Sequence, residues 1–167
     1  MQGKKVSEII RNTLPNTIVL AITAIIIAII IGIFLGVISA VLKDSYADKA
    51  IQLISVVGMS LPSFFSAILF AWFFGYVLNE YTNLEMTGSL YELDDFGDKY
   101  RIKIKNLILP AIVLGIRPLA VISQLMRNEL LDVLNQDYIR TARAKGLSEY
   151  SVIKNHGIKN SLNPVVT

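Results

Sequence analysis

The sequence predicts an all-α fold, a polytopic transmembrane helical bundle with a charged helical elbow held outside the lipid. Three observations predict it. Of the 167 residues, 53% are apolar and only 17% charged, where an ordinary soluble domain carries about a quarter charged residues. Residues 16–42 and 50–79 contain no charge at all, and each run exceeds the roughly 20 residues a helix needs to cross hydrocarbon. Residues 135–160 keep a helical pattern but are too charged to cross a bilayer.

Composition also excludes several classes. The chain has no cysteine, hence no disulfide, thiol nucleophile or cysteine-held metal. A net charge of +3 is too small to point to nucleic acid. Lys4, Lys5 and Arg11 precede the first apolar run, as in a signal peptide, but that run is about twice a signal's usual apolar length and more spans follow, so it reads as a true span.

Residues 1–15 read as an amphipathic lead-in, with Val6, Ile9, Ile10 and Leu14 at roughly helical spacing. The first span, 16–42, carries Gly32 and Gly36 with Ala40 in the same register. Small residues four apart let helix backbones approach closely in lipid, so Gly32 and Gly36 are predicted packing positions. A polar turn, Lys43-Asp-Ser-Tyr-Ala-Asp-Lys49, leads to a second span, 50–79. Its middle, Gly58-Met-Ser-Leu-Pro-Ser63, predicts a kink or break at Pro62, with freed carbonyls facing protein or water. Trp72, Tyr76 and Tyr81 suit an interface belt.

Residues 80–105 leave the membrane. They hold Glu80, Glu85, Glu92, Asp94, Asp95 and Asp98 before Lys99, Arg101, Lys103 and Lys105. No calcium-loop spacing is present, so this reads as a solvated acidic loop. The alternation Arg101-Ile-Lys-Ile-Lys105 predicts a short extended or interfacial piece. The third span, 106–126, has Arg117-Pro118 near its middle. A central arginine costs about 2.5–3.5 kcal/mol on insertion scales. Two readings stand: Arg117 attracts a carboxylate of a transported molecule, or it only reaches water or a neighbouring carbonyl at a bent helix. Asn135 or Asp137 can cap a short helix ending at Lys145, Gly146 suits its left-handed end, and Ser148 can cap a second helix carrying Val152, Ile153 and Ile158. Residues 162–167 read as the start of a further span.

Charge does not settle orientation. The lead-in and the 80–105 loop share seven Lys and Arg, against eight for the 43–49 turn and 127–160, which is too even for the positive-inside rule.

The elbow run Asp137-Tyr-Ile-Arg-Thr-Ala-Arg-Ala-Lys-Gly146, then Leu147, Ser148, Glu149, His156, Asn160 and Pro164-Val-Val-Thr167, closely resembles the coupling segment of ABC importer permeases. More narrowly it resembles B-type subunits of the oligopeptide and dipeptide permease family. Val6-Ser-Glu8, Leu14-Pro15, Gly32-Ile-Phe-Leu-Gly36, Leu61-Pro-Ser-Phe64, Leu109-Pro-Ala111 and Gly115-Ile-Arg-Pro118 fit the same family in the same order. In the wider class the segment begins Glu-Ala-Ala and reaches a glycine four residues after the second alanine. Registered on Gly146, those positions fall on Arg140, Thr141 and Ala142, a departure that resembles the peptide subgroup. The class's later Ile-x-Leu-Pro falls on His156-Gly-Ile-Lys159.

The resemblance implies an incomplete type I ABC importer permease core, a fragment with further spans on either side, in a prokaryotic cytoplasmic (inner) membrane. It implies that 127–160 is cytoplasmic, 80–105 outside, and residues 16–167 one permease domain. The implied partners are a second permease subunit, two ABC ATPase subunits that bind ATP and Mg, an extracellular or periplasmic solute-binding protein and the lipid bilayer, with no nucleic acid. No cofactor is implied for this chain, which lacks the Gly-x-x-x-x-Gly-Lys-Ser/Thr loop. Asp137, Tyr138, Arg140, Thr141, Ala142, Arg143, Ala144, Lys145 and Gly146 would dock on an ATPase. Thr141, Ala142 and Ala144 would leave room for close approach, and Arg140, Arg143 and Lys145 would pair with carboxylates. Ser60, Pro62, Ser63 and Arg117 would contribute to the translocation pathway, the solute being di- or oligopeptides, glutathione or a nickel chelate.

Two rivals remain. A secondary transporter would show ionisable residues within several spans, where only Arg117 qualifies. A membrane scaffold would use the basic elbow to bind anionic lipid or nucleic acid, in a strongly salt-dependent way and without an ATPase. An enzyme is least supported, because His156 has no evident nucleophile or metal partner near it in sequence and reads as structural.

Overall fold

Uncharged apolar runs leave a backbone in lipid one way to satisfy its own polar groups within a single segment, the helix. The computed structural model describes residues 5–85, 90–93 and 100–166, and helix dominates them. Lys4, Asp94, Asp95, Asp98, Lys99 and Thr167, all used in the sequence reading, lie outside the described residues. The elements are α1 (Val6–Val41), α2 (Tyr46–Ser60), α3 (Ser63–Trp72), a π-wound turn (Phe73–Val77) and α4 (Asn79–Thr82). Next come β1 (Tyr91–Leu93) and β2 (Tyr100–Ile102), paired antiparallel with Glu92 opposite Arg101. Then follow α5 (Lys105–Leu134), α6 (Asp137–Ala144), α7 (Glu149–Ser151), a π-wound segment (Val152–Ile158), α8 (Lys159–Ser161) and α9 (Asn163–Val166). The lead-in and first span are thus one helix. Of the extended or interfacial piece expected over 101–105, Arg101 and Ile102 fall in strand β2, while Lys105 already begins α5.

Among the described residues, α1 and α5 are each long and apolar enough to cross a membrane, and a third crossing results if α2 and α3 with its π turn count as one broken span. Large apolar side chains such as Ile22, Ile25, Ile26, Ile29 and Ile30 point outward along α1. In water that would be a liability; in hydrocarbon it is the expected surface. The break expected at Pro62 is present. α2 ends at Ser60, and Pro62 takes an extended backbone (φ −60°, ψ 133°) before α3 begins. Proline's missing N–H and its ring prevent the helix from continuing through this point.

The chain divides into two units. The first comprises residues 1–27 and 61–115. Here α1 and α5 meet closely: a Cβ on Gly115 would stand 3.0 Å from the Ala24 carbonyl oxygen. In the same unit the π turn closes with the Leu78 N–H donating to the Phe73 carbonyl. Thr82 Oγ1 donates to the Phe74 and Leu78 carbonyls, and Asn79 Nδ2 to those of Gly75 and Leu84, so the orphan carbonyls of this helix end are satisfied.

The second unit comprises residues 28–60 and 116–167. Gly32 and Gly36 of α1 lie against α5. A Cβ on Gly36 would stand 2.6 Å from the Ser123 carbonyl oxygen and 2.7 Å from Met126 Cβ; on Gly32 it would stand 2.9 Å from the Leu119 carbonyl oxygen. The glycines permit backbone contact that any side chain would prop open. Ala40, Met126 and Leu130 form the buried core, flanked by Ile33, Val37, Leu131, Leu134, Ile158, Leu162 and Val165.

Candidate functional site

The elbow follows directly from the end of α5. Asn135 Nδ2 donates to the Leu131 carbonyl, helping to close α5. Gln136 is extended and is the residue before α6, with no side-chain hydrogen bond to the helix. The expected cap from Asn135 or Asp137 is therefore not formed. Asp137 is instead the first helical residue, where its negative charge suits the positive end of the helix dipole.

Gly146 ends α6 in the left-handed region (φ +80°). Its N–H donates to the Arg143 carbonyl at 2.9 Å, and the Leu147 N–H to the Ala142 carbonyl at 3.4 Å, the paired bonds of a Schellman ending. Ser148 then caps the next helix, its Oγ accepting from the Ser151 N–H. The chain so turns between two helical pieces with the N–H groups of Gly146, Leu147 and Ser151 all paired.

Ile139, Ala142 and Val152 bury one another, with Val133 and Leu134 of α5 packed against them. The π-winding of Val152–Ile158 was not legible in the sequence. Its wider turn puts Val152 and Gly157, five apart, both on the buried side. Gly157 accepts the end of α5 there, since a Cβ would meet Leu130 Cδ1 at 3.0 Å.

Two polar ties cross the elbow. Arg143 donates to both carboxylate oxygens of Glu149, at 2.7 and 3.0 Å. Asn160 Nδ2 donates to the Tyr138 hydroxyl at 3.1 Å. The Arg143 guanidinium holds the Glu149 carboxyl below the usual carboxylate range, opposed by partial burial.

The sequence-derived coupling residues thus divide. Asp137, Tyr138, Arg140, Thr141, Ala144, Lys145 and Gly146 are exposed. Ala142 is turned inward, and Arg143 spends its fork on Glu149. Arg140 reaches Asp137 at 3.4 Å, and Thr141 Oγ1 donates to the Asp137 carbonyl. Leu147, part of the quoted motif but given no docking role, and Tyr150 are both large, exposed and beside the turn; an apolar residue next to a charged turn was the available signal.

The residues expected to line a pathway stand as follows. Ser60 is exposed and bonds back to the Val56 carbonyl. Arg117 is exposed, its Nε 3.4 Å from the Met59 carbonyl oxygen. Pro62 and Ser63, in the other unit, are exposed at the helix break.

One polar centre was missed. Asp48, at the start of α2, is fully buried and meets Arg127 of α5 in a two-bonded pair at 2.7 and 2.8 Å. Ser39 Oγ of α1, the Asp44 N–H and Gln52 Nε2 also donate to this carboxylate. Asp48 with Gln52 one turn on, and a basic residue at the end of another span, were the signals available.

Residues 32–167 match the family described as binding-protein-dependent transport system inner membrane components. The chain is 39% identical over 129 residues to a putative peptide transport system permease protein of Brucella abortus, covering 77% of this chain and 39% of that protein. It is 40% identical over 142 residues to the dipeptide transport system permease protein DppB of Alkalihalophilus pseudofirmus, covering 77% and 43%. With DppB of Haemophilus influenzae the identity is 38% over 141 residues, covering 77% and 42%. The chain therefore spans about two fifths of the length of these relatives.

Proposed function

Because the chain belongs to the family of binding-protein-dependent transport system inner membrane components, we propose that it is part of the permease of an ATP-driven importer of di- or oligopeptides. The relatives named for peptide and dipeptide transport support this substrate class. In this reading separate ATPase subunits bind ATP and Mg, a second permease subunit completes the pathway, and a solute-binding protein outside delivers the peptide. The elbow lies in the cytoplasm and receives the ATPase.

The observation that carries the reading is the construction of the elbow. A loop with its own buried cluster, a left-handed glycine turn and two polar ties is stiff. Pushed from outside, it passes displacement to α5 instead of folding up. Arg140, Lys145, Leu147 and Tyr150 offer charge and apolar surface to a partner. Nucleotide-driven closure would bias the spans between inward- and outward-facing arrangements. Arg117, the helix break at Pro62, Ser60 and Ser63 are assigned to the peptide's route.

Uptake of a labelled dipeptide by vesicles carrying the whole transporter tests this. Uptake should require ATP inside and the binding protein outside. Uptake that persists without ATP and follows an ion gradient would make the protein a secondary transporter and overturn the proposal.

A further inference from the structure

The Asp48 centre joins α1 and α2, which follow each other in the chain, to α5, which lies far along it. Ser39 comes from α1, Asp48 and Gln52 from α2, and Arg127 from α5, seventy-nine positions after Asp48. Every hydrogen bond lands on one carboxylate. Oδ1 accepts from Ser39 Oγ, Gln52 Nε2 and Arg127 Nε; Oδ2 accepts from the Asp44 N–H and Arg127 Nη2. The side chains of Arg127 and Asp48 are 16% and 1% exposed.

Such a pair is a poor way to gain stability, since removing two charges from water costs as much as their attraction returns, and apolar side chains of similar size often serve as well. What a two-bonded arginine–carboxylate pair supplies is orientation. The planar fork fixes angle as well as distance, whereas apolar contacts can slide. The centre also sits where sliding would matter. Beyond Arg127, α5 continues through Leu130 into Val133 and Leu134, the residues on which the elbow's buried cluster and Gly157 rest. Elbow and α5 are therefore already one piece; α1 and α2 are joined to that piece through apolar contacts and through this carboxylate.

We propose that Asp48 and Arg127 are positioning residues that bind α2 to the parts of α1 and α5 that lie in the second unit, so that displacement of the elbow moves these three stretches together. The proposal rests on the reading that an ATPase pushes the elbow. It adds which helices travel together and which side chains hold them.

Spin labels are placed through Lys49→Cys near the start of α2 and Lys159→Cys at the far end of the elbow, in a transporter whose remaining cysteines have been replaced; this chain contributes none. In the whole transporter in lipid vesicles, the distance between them is measured without nucleotide and with ATP trapped by vanadate. The expected result is one narrow distance, the same in both conditions. With Arg127→Lys, which keeps the charge but loses the fork, the distance changes between conditions, and uptake of labelled alanyl-alanine per ATP hydrolysed falls severalfold while ATP hydrolysis continues. If Arg127→Lys does not assemble, Ser39→Ala removes one donor, keeps the ion pair and gives a smaller shift of the same kind. A nucleotide-dependent distance in the unaltered protein overturns the proposal. So does uptake per ATP that is unchanged in Arg127→Lys and Ser39→Ala, or that falls only with the amount of assembled transporter. Failure of the importer reading looks different: the unaltered transporter would show no ATP-dependent uptake at all.

Discussion

Arg143 and Glu149 form a two-bonded ion pair that closes over Gly146, tying the last turn of α6 to the first of α7. The turn between them is therefore held twice, by the glycine's backbone and by the charges above it. Both side chains are partly exposed, at 39% and 58%, so the pair contributes only about 0.2–1 kcal/mol. Its pH dependence follows from the lowered pKa of Glu149. The contribution is complete above the ordinary glutamate range, near pH 4.3, and fades as pH falls through the depressed value. The protection factors of the Leu147–Val152 amides, that is, exchange rates divided by the intrinsic rate at each pH, should be unchanged from pH 8 to 5 and lower in Glu149→Gln at every pH in that range.

At Gly146 the demand is conformational, not spatial, since a Cβ there meets nothing within 4 Å. Gly146→Ala should destabilise the elbow by about 1–2 kcal/mol, the cost of holding a side chain in the left-handed region. Gly146→Asn should cost less, because asparagine visits that region more readily. Exchange rates of the elbow amides measure both. Equal rates in Ala and Asn variants would count against a conformational origin.

Gly36 presents the opposite case. Its Cβ would collide with the Ser123 carbonyl and Met126, atoms that cannot swing aside. Gly36→Ala should lower stability by about 1–3 kcal/mol, typical of overpacking, and Gly32→Ala by less, as its contacts are a little longer. Thermal unfolding in detergent should rank them in that order.

Arg117 makes one long hydrogen bond, to the Met59 carbonyl, and is exposed. Arg117→Gln should leave thermal stability nearly unchanged. If the side chain draws a peptide's carboxylate, the variant should raise the KM for free dipeptides and leave C-terminally amidated ones alone. Equal effects on both would remove Arg117 from the route.

Much of this architecture was legible in the sequence, for local reasons. Two of the spans show as charge-free runs, Pro62 cannot continue a helix, and Ser148 and Gly146 carry their backbone roles in their chemistry. What escaped depends on pairings between distant segments. Asp48 read as one more charge in a polar turn, because nothing nearby in the chain announces Arg127. The inward turn of Ala142 depends on Val152 across the elbow, and the π-winding on how Gly157 fits Leu130 and Leu134. Such features are set by which helix faces which, and residue spacing alone does not encode that.

The most direct test places a photo-crosslinking residue at Lys145 in the whole transporter. The account predicts that it attaches to the ATP-hydrolysing subunit and that the yield changes when ATP binds. Attachment only to lipid, or labelling of the same position by a membrane-impermeant reagent added outside the cell, would contradict it.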